Sequence, residues 1–473
     1  MPETLDETYE QILKSINKAQ TDNARRLLQC LTVAVRPLRV EELAEILAFD
    51  FEASSTGGIP TYKEDWRWDN LEEAILSTCS SLITIVRDGN SRVVQFSHFS
   101  VKEYLTSRRL ARSQGDGLRF HIDLEAAHTI MAQACLGILL RMDEHRRATG
   151  SPLVKYAAEH WVEHARFENV LSRVGDGMDD LFDRTKPHFA AWLRVHDIES
   201  DFDFKAFDFD SDFSQSDFDA LNVQHVGGYP LYYAAFCGFY DLAERLIMKD
   251  PDTVNARDIF VLAPLGAALF KKHFRVANLL HEHGAVVDFR NPKGLTPLHV
   301  ASSTGNVDVM RWLLNHGADL NALSNRSNTP LEMATSGMHL EAVQVLLEHN
   351  PDINLQDSDG DTPLGNVLYV FNFFTEGEAV DVARRLLEHG PNPNIGNNDH
   401  RTPLHLASYQ GSLEVARLLL SYGAKVDVKD KEGKTPYHIA SSAGHYKQAR
   451  HHEQARHHEI AKLLLEHGAV PQP

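Results

Sequence analysis

His160-Trp161-Val162-Glu163-His164 fits H-x-x-E-H, which on a helix sets two imidazoles on one face with a carboxylate beside them, the spacing of an inverted zinc-protease motif. A catalytic zinc also needs a third ligand, which the sequence does not identify. In a chain with 26 histidines the pentad is therefore expected to be structural. Gly433-Lys434-Thr435 has the ending of a phosphate loop, but position 428 is Val and no G-x-x-x-x-G-K-[ST] occurs in the chain. A phosphate cradle needs the whole glycine-rich turn, so nucleotide hydrolysis by these residues is not expected. The hexads HYKQAR (445–450), HHEQAR (451–456) and HHEIAK (457–462) concentrate histidine, yet His452 and His457 miss the i,i+4 spacing of a helical ligand pair. No catalytic residue, metal or cofactor is assigned, and the chain is not expected to be an enzyme.

Elements must hold whatever else these residues do, and the composition is that of ordinary globular domains: 43% hydrophobic and 24% charged over 473 residues. A formal net charge of −19 disfavours nucleic acid, which requires a concentrated basic face. Cys30, Cys79, Cys135 and Cys237 are too scattered for a metal knuckle or a disulfide framework, so a reduced compartment is expected, cytoplasmic with the nucleus open. No apolar run has the length of a membrane span, and the N-terminus is amphipathic rather than signal-like, so no membrane partner is expected.

Self-similarity is the strongest feature. Pro230, Pro264, Pro297, Pro330, Pro363, Pro403 and Pro436 recur at intervals of 34, 33, 33, 33, 40 and 33. The fullest copies, Thr296-Pro297-Leu298-His299-Val300-Ala301 and Thr402-Pro403-Leu404-His405-Leu406-Ala407, are each followed by a Gly, a second apolar helix and an HGA or YGA turn. These residues resemble the ankyrin repeat, in seven units. Thr caps the first helix, Pro sits where a missing N–H is harmless, and His299, His405 and His438 are expected to bond neighbouring turns. One unit cannot bury its own apolar face, so units stack and present their hairpin tips and first helices as a concave surface.

The second unit, Ala263-Pro264-Leu265-Gly266, lacks both cap and His. The fifth carries about seven extra residues that crowd Tyr369, Phe371, Phe373 and Phe374, either as an exposed hot spot or as buried rings on a lengthened first helix. In the seventh, removing twelve residues restores the usual distance from Gly444 to Gly468, so the hexads read as a duplication.

Upstream the pattern is helix, turn, helix and hairpin: NARRLLQCLTVAV, the breaker Arg36-Pro37-Leu38-Arg39, VEELAEIL, then SLITIV and SRVVQF about an Asp88-Gly89 turn. That order suggests a winged helix, but residues 1–115 carry 14 Lys and Arg against 17 Asp and Glu, which argues against DNA reading. The stretches PETLDETYEQIL, LLQCLTVAVRPLRVEELAEILAFDF, FSHFSVKEYLTS and KYAAEHWVEHA resemble the region that follows the NTPase module of fungal NACHT-ankyrin proteins, STAND-type NTPases. The resemblance implies a switching module upstream of Pro2, with the winged-helix and helical segments transmitting its state to sensing repeats. It also makes YAAEHWVEHA a structural helix. Residues 197–219 alternate acidic residues with phenylalanine and read as a solvated linker or an acidic-aromatic docking motif.

The expected fold is mainly α: a winged-helix-like and helical N-terminal region followed by an ankyrin-repeat α-solenoid. Its divisions are a leading helix (1–21), a winged-helix-like domain (22–115), a helical domain (116–196), an acidic Phe/Asp-rich linker (197–222) and the repeats (223–473). The expected function is a scaffold that binds a protein partner of unidentified kind on the concave surface, with self-association through the N-terminal half. The alternative is the sensor portion of a NACHT-type signalling switch. Ankyrin geometry nominates Lys293, Leu295, Ser303, Thr304, Asn325, Arg326, Asn328, Ser358, Asp359, Asp361, Asn398, Asp399, Arg401, Tyr409, Gln410, Lys431, Glu432 and Lys434 as partner contacts.

Overall fold

In the computed structural model the described residues are 4–52, 58–66, 70–79, 81–112, 116–142, 151–195, 229–256, 263–369, 375–443 and 451–470. The acidic linker, Phe371, Phe373, Phe374 and the first hexad lie outside them. The described residues fall into two compact units, one running to Asp250 and the other starting at Pro251.

The first unit opens with α1 (Leu5–Ser15), whose Thr4 cap accepts from Glu7 N. Then come α2 (Thr21–Val33), β1 (Leu38–Arg39), α3 (Val40–Leu47), β2 (Phe49–Asp50), β3 (Thr61–Tyr62), α4 (Leu71–Cys79), β4 (Ile83–Asp88) and β5 (Ser91–Phe96). The sheet order β1-β5-β4 is antiparallel, and β4 and β5 form the wing with Gly89 at φ +58° in its turn. This is the expected winged helix, with one correction. Leu38 and Arg39, read as part of a breaker, pair with Val94 and Val93 as an edge strand. Glu42, one turn into α3, is buried. Its carboxylate accepts from Arg39 N at 2.8 Å and, bidentately, from Arg36 at 2.9 and 2.7 Å, so the buried charge is paired.

Helical hairpins complete the unit: α5 (Phe99–Leu105), α6 (Arg108–Ala111), α7 (Leu124–Leu139), α8 (Leu153–Ala165), α9 (Val170–Arg173), α10 (Gly175–Leu181) and α11 (His188–Val195). The first repeat, Pro230–Cys237 with Tyr240–Lys249, groups with them. Trp161 lies at the centre, 5.4 Å from the rings of both Trp192 and Phe239 and 6.2 Å from Phe182, and Tyr233 meets Phe189 at 5.5 Å. Aromatic pairs at these separations add to the area they bury. The four cysteines form no disulfide and are buried, which pushes the Cys30 and Cys79 thiols up to about 12 and leaves those two unreactive.

The second unit holds the remaining six helix pairs: Pro264–Phe270 with Phe274–Glu282, Pro297–Ser303 with Val307–Asn315, Pro330–Ser336 with Leu340–Leu347, Pro363–Tyr369 with Glu376–Glu388, Pro403–Gln410 with Leu413–Ser421, and Pro436–Ala443 with His451–Glu466. Proline opens every first helix, where the N–H it lacks would have no partner. The uncapped second pair is tied to the third by Trp312 Nε1 donating to Asn278 Oδ1 at 2.7 Å and by the Lys272–Asp308 ion pair at 2.9 Å. From the third pair on, buried Leu and Ala on successive first helices form one continuous core.

Candidate functional site

A single local motif builds the hairpin tips. At Asn291, Ser324, Asp357, Asn397 and Asp430 one side-chain oxygen accepts two backbone N–H groups, those of residues two and four further on, at 2.8–3.2 Å. These short polar side chains imitate a backbone turn, which is why Asn, Asp and Ser occupy the position. Neighbouring tips are then laced by their backbones. Asn325 N donates to Lys293 O, Ser358 N to Arg326 O, Asn398 N to Asp359 O and Lys431 N to Asp399 O, at 2.9–3.0 Å.

The capping histidines join tip to helix. His299 Nδ1 accepts from Thr296 N at 3.1 Å, so its Nε2 carries the proton and donates to Asn328 O at 2.9 Å in the next unit. His405 does the same between Thr402 N and Lys434 O. Burial lowers the pKa of both rings and keeps them neutral.

In the fourth unit Glu332 stands where the third and sixth have His. It closes the capping box with Thr329 and accepts from Asn328 and Asn366, yet it is buried beside Asp357. Burial and that neighbour push its carboxyl up to about 8. Asp361, buried and close to Asp357, is pushed up to about 7 by the same two causes. Tyr369 stands at the end of this network, its hydroxyl accepting from Asn397 Nδ2 at 2.8 Å.

Most nominated contacts are accessible. Thr304, Asn325, Arg326, Ser358, Asp359, Asn398, Asp399, Tyr409, Lys431, Glu432 and Lys434 are exposed, and Lys293, Ser303, Asn328, Arg401 and Gln410 are half-buried. Two nominations are corrected: Leu295 is 8% and Asp361 5% exposed. Both immediately precede the capping Thr, the register of Asn328, Arg401 and Lys434, whose side chains are half-buried or exposed, so burial at this position is set unit by unit. Asn325 and Asn398 are exposed but committed, since their amides donate to Pro292 O and Ser358 O of the preceding tip.

Five of the nominated residues, Arg401, Tyr409, Gln410, Glu432 and Lys434, converge on a groove of about 360 Å³ crossing the fifth to seventh units. Tyr369, singled out in the fifth unit's aromatic cluster, is a further wall, while the sequence did not nominate Leu368, His405, Leu406, Asp430, Ile439 or Ser442. The repeat motif assigns His405 and Leu406 to the core, and Asp430 belongs to the tip motif that only the hydrogen bonds reveal. Lys434 pairs with Glu432 at 2.7 Å, while Arg401 lies 3.6 Å from Asp430 and 3.8 Å from Glu432. Opposite charges thus alternate around Tyr369 and Tyr409.

The H-x-x-E-H pentad lies on α8 in the first unit. Its His164 is fully buried and commits both nitrogens, Nδ1 to His128 Nδ1 at 3.0 Å and Nε2 to the Tyr156 hydroxyl at 2.9 Å. Burial, reinforced by the neighbouring His128 and His160, drives its pKa down to about 3. Such a ring is a structural link between α7 and α8. Metal analysis of the purified chain is expected to find far less than one zinc per molecule, whereas near-stoichiometric zinc that disappears in His160→Ala would reverse this assignment. The third hexad is likewise built in, with His457 buried and its Nδ1 donating to Ser408 O at 3.0 Å. Among the described residues no three His, Cys, Asp or Glu side chains are grouped to hold a metal ion, and no helix is long and apolar enough to cross a membrane.

The architecture is therefore a winged-helix domain and helical hairpins followed by ankyrin repeats, a fold that is typically non-catalytic and typically engages other proteins. Residues 265–357 and 373–472 match the family model described as ankyrin repeats (3 copies), and residues 9–114 match that of the GPI inositol-deacylase winged helix domain. A curated relative, azaphilone pigments biosynthesis cluster protein L of Monascus ruber, is 29% identical over 304 residues, 61% of this chain and 60% of its own. The chain thus spans less than two thirds of that relative. Among solved structures, the ankyrin repeat domain of Bcl-3 is 27% identical with a TM-score of 0.43, over 50% of this chain and 99% of its own. An Acinetobacter baumannii ankyrin repeat domain is 30% identical with a TM-score of 0.39, over 42% of this chain and 99% of its own.

Proposed function

We propose that the chain is a scaffold whose hairpin tips and first helices, forming the concave surface of units three to seven, hold a protein partner, with no catalysis of its own. The observation that carries this is the convergence of Arg401, Tyr409, Gln410, Glu432 and Lys434 on one groove, where the exposed Glu432 and Lys434 and the half-buried Arg401 share the walls with the Tyr369 and Tyr409 rings. Aromatic and Arg anchors in a pocket are the usual energetic centre of a protein interface. The division into leading helix, winged-helix-like domain, helical domain, linker and repeats, a cytoplasmic location and self-association through the N-terminal half belong to the same reading.

The test is affinity capture from a cell lysate by the full chain and by a variant carrying Arg401→Glu, Tyr409→Ala and Lys434→Glu. The expected result is at least about tenfold weaker retention of a specific protein by the variant, from loss of contacts at the centre of the interface. Equal retention of every captured protein would sink the assignment.

The match of residues 9–114 to a winged-helix domain favours a second reading, in which this chain is the sensor portion of a NACHT-type switch. Transcripts that extend upstream of Met1 and encode a phosphate loop would support it.

A further inference from the structure

Within the groove, Asp430 spends only one of its two carboxylate oxygens. Oδ1 accepts from Glu432 N and Lys434 N, while Oδ2 has no hydrogen-bond partner although the residue is only 5% exposed. Facing it is Arg401 Nε, a donor equally without a hydrogen-bond partner, 3.6 Å from Oδ2 and so beyond hydrogen-bond length. A buried acceptor and a buried donor are left unsatisfied side by side, and each such atom costs free energy until it is paired.

The chemistry of a group able to satisfy both atoms follows from that pair. A cation would satisfy Asp430 but repel Arg401 and leave Nε unpaired, and an anion would do the reverse. The groove's other formal charges, on Glu432 and Lys434, also cancel, so neither sign of guest is favoured overall. A carboxamide carries a C=O and an N–H₂ side by side, accepting from Nε while donating to Oδ2. Among the described residues the Arg401 side chain, 37% exposed, is held by ion pairs of 3.6 and 3.8 Å and by no hydrogen bond, so its turning would admit the amide. The Tyr369 and Tyr409 rings, 43% and 63% exposed, offer apolar walls for the residues on either side.

Building on the scaffold reading, we infer that the groove recognises a partner segment presenting an uncharged Asn or Gln side chain between Arg401 Nε and Asp430 Oδ2, flanked by apolar residues.

Asp430→Asn tests this without endangering the fold, because Asn291 and Asn397 already occupy the same tip position and make the same two backbone bonds. Those bonds would hold the new Oδ1 in place and turn Nδ2 to the groove, leaving two donors that call for a carboxylate. The probe is a phage-displayed library of short random peptides, panned on the full chain and on D430N. Wild type is expected to enrich Asn or Gln at one position beside an apolar residue, and D430N to enrich Asp or Glu there. A wild-type-selected peptide with that Gln changed to Glu is expected to bind wild type at least about tenfold more weakly, and D430N at least about tenfold more tightly than wild type does. Enrichment of charged residues on wild type, or an unchanged Asn or Gln preference on D430N, overturns the carboxamide assignment and leaves the scaffold reading standing. Selected peptides whose binding survives Tyr409→Ala, or the absence of any enrichment, count against both.

Discussion

Raising the pH from 5 to 9 is expected to cost the repeat unit on the order of 4 kcal/mol of folding stability, and Glu332→Gln is expected to remove most of that dependence. In the folded chain the Glu332 carboxyl titrates at about 8, against an ordinary value of 4.5, because it is buried and faces Asp357. The folded state therefore keeps a proton that the unfolded state gives up. That stabilisation is fully present below about pH 4.5 and is lost as the pH rises through about 8. Asp361, raised from 3.8 to about 7, adds a smaller contribution of the same sign, lost earlier in the same window. The amide introduced by Glu332→Gln would keep the acceptor for Asn328 and Asn366 and offer Asp357 a donor that does not titrate. Urea unfolding of both proteins at a series of pH values reads the difference. Parallel stability curves for wild type and Glu332→Gln would show that the buried carboxyl is not the source.

Trp161→Ala should destabilise the first unit by about 3–5 kcal/mol, the range for emptying an aromatic site in a well-packed core. Trp161 is fully buried, and the Trp192, Phe182 and Phe239 rings that surround it come from three different parts of the chain, which cannot all close on the void. Its indole N–H has no hydrogen-bond partner, so the loss comes from packing alone. Trp161→Phe, which keeps a ring and sheds that N–H, is expected to cost less than half as much. Because Phe239 belongs to the first repeat, the alanine variant should also expose Pro230–Lys249 to protease earlier than wild type. Equal denaturation midpoints for the Phe and Ala variants would contradict this account.

How much of this was legible in the sequence depends on how far each signal reaches along the chain. The repeats were readable because a proline recurs mostly every 33 residues, and in four units, at Pro297, Pro330, Pro363 and Pro403, Thr before it and Leu after it fix cap, first turn and core together. The wing was readable from Asp88-Gly89 between two apolar runs, whereas β1 was not, since two residues are too few to show an alternation. Among the nominated positions, Leu295 and Asp361 are buried. Leu295 carried that signal in its own apolarity; Asp361 carried none, because the amide its carboxylate is buried against, Asn397 Nδ2, lies 36 residues away in the sequence. The groove was half visible for the same reason. Arg401, Tyr409 and Lys434 belong to exposed registers, while Asp430 faces the site through one oxygen and holds the tip with the other.

The backbone lacing of the tips has a metrical consequence. Asn325 N to Lys293 O, Ser358 N to Arg326 O, Asn398 N to Asp359 O and Lys431 N to Asp399 O join five successive tips into a strap that cannot lengthen without breaking main-chain bonds. Each exposed side chain on that edge therefore sits at a fixed interval from its counterpart in the next unit. On the proposed scaffold function, a partner would be measured as well as matched: a ligand whose anchoring residues fall at the wrong pitch would engage one unit but not the next.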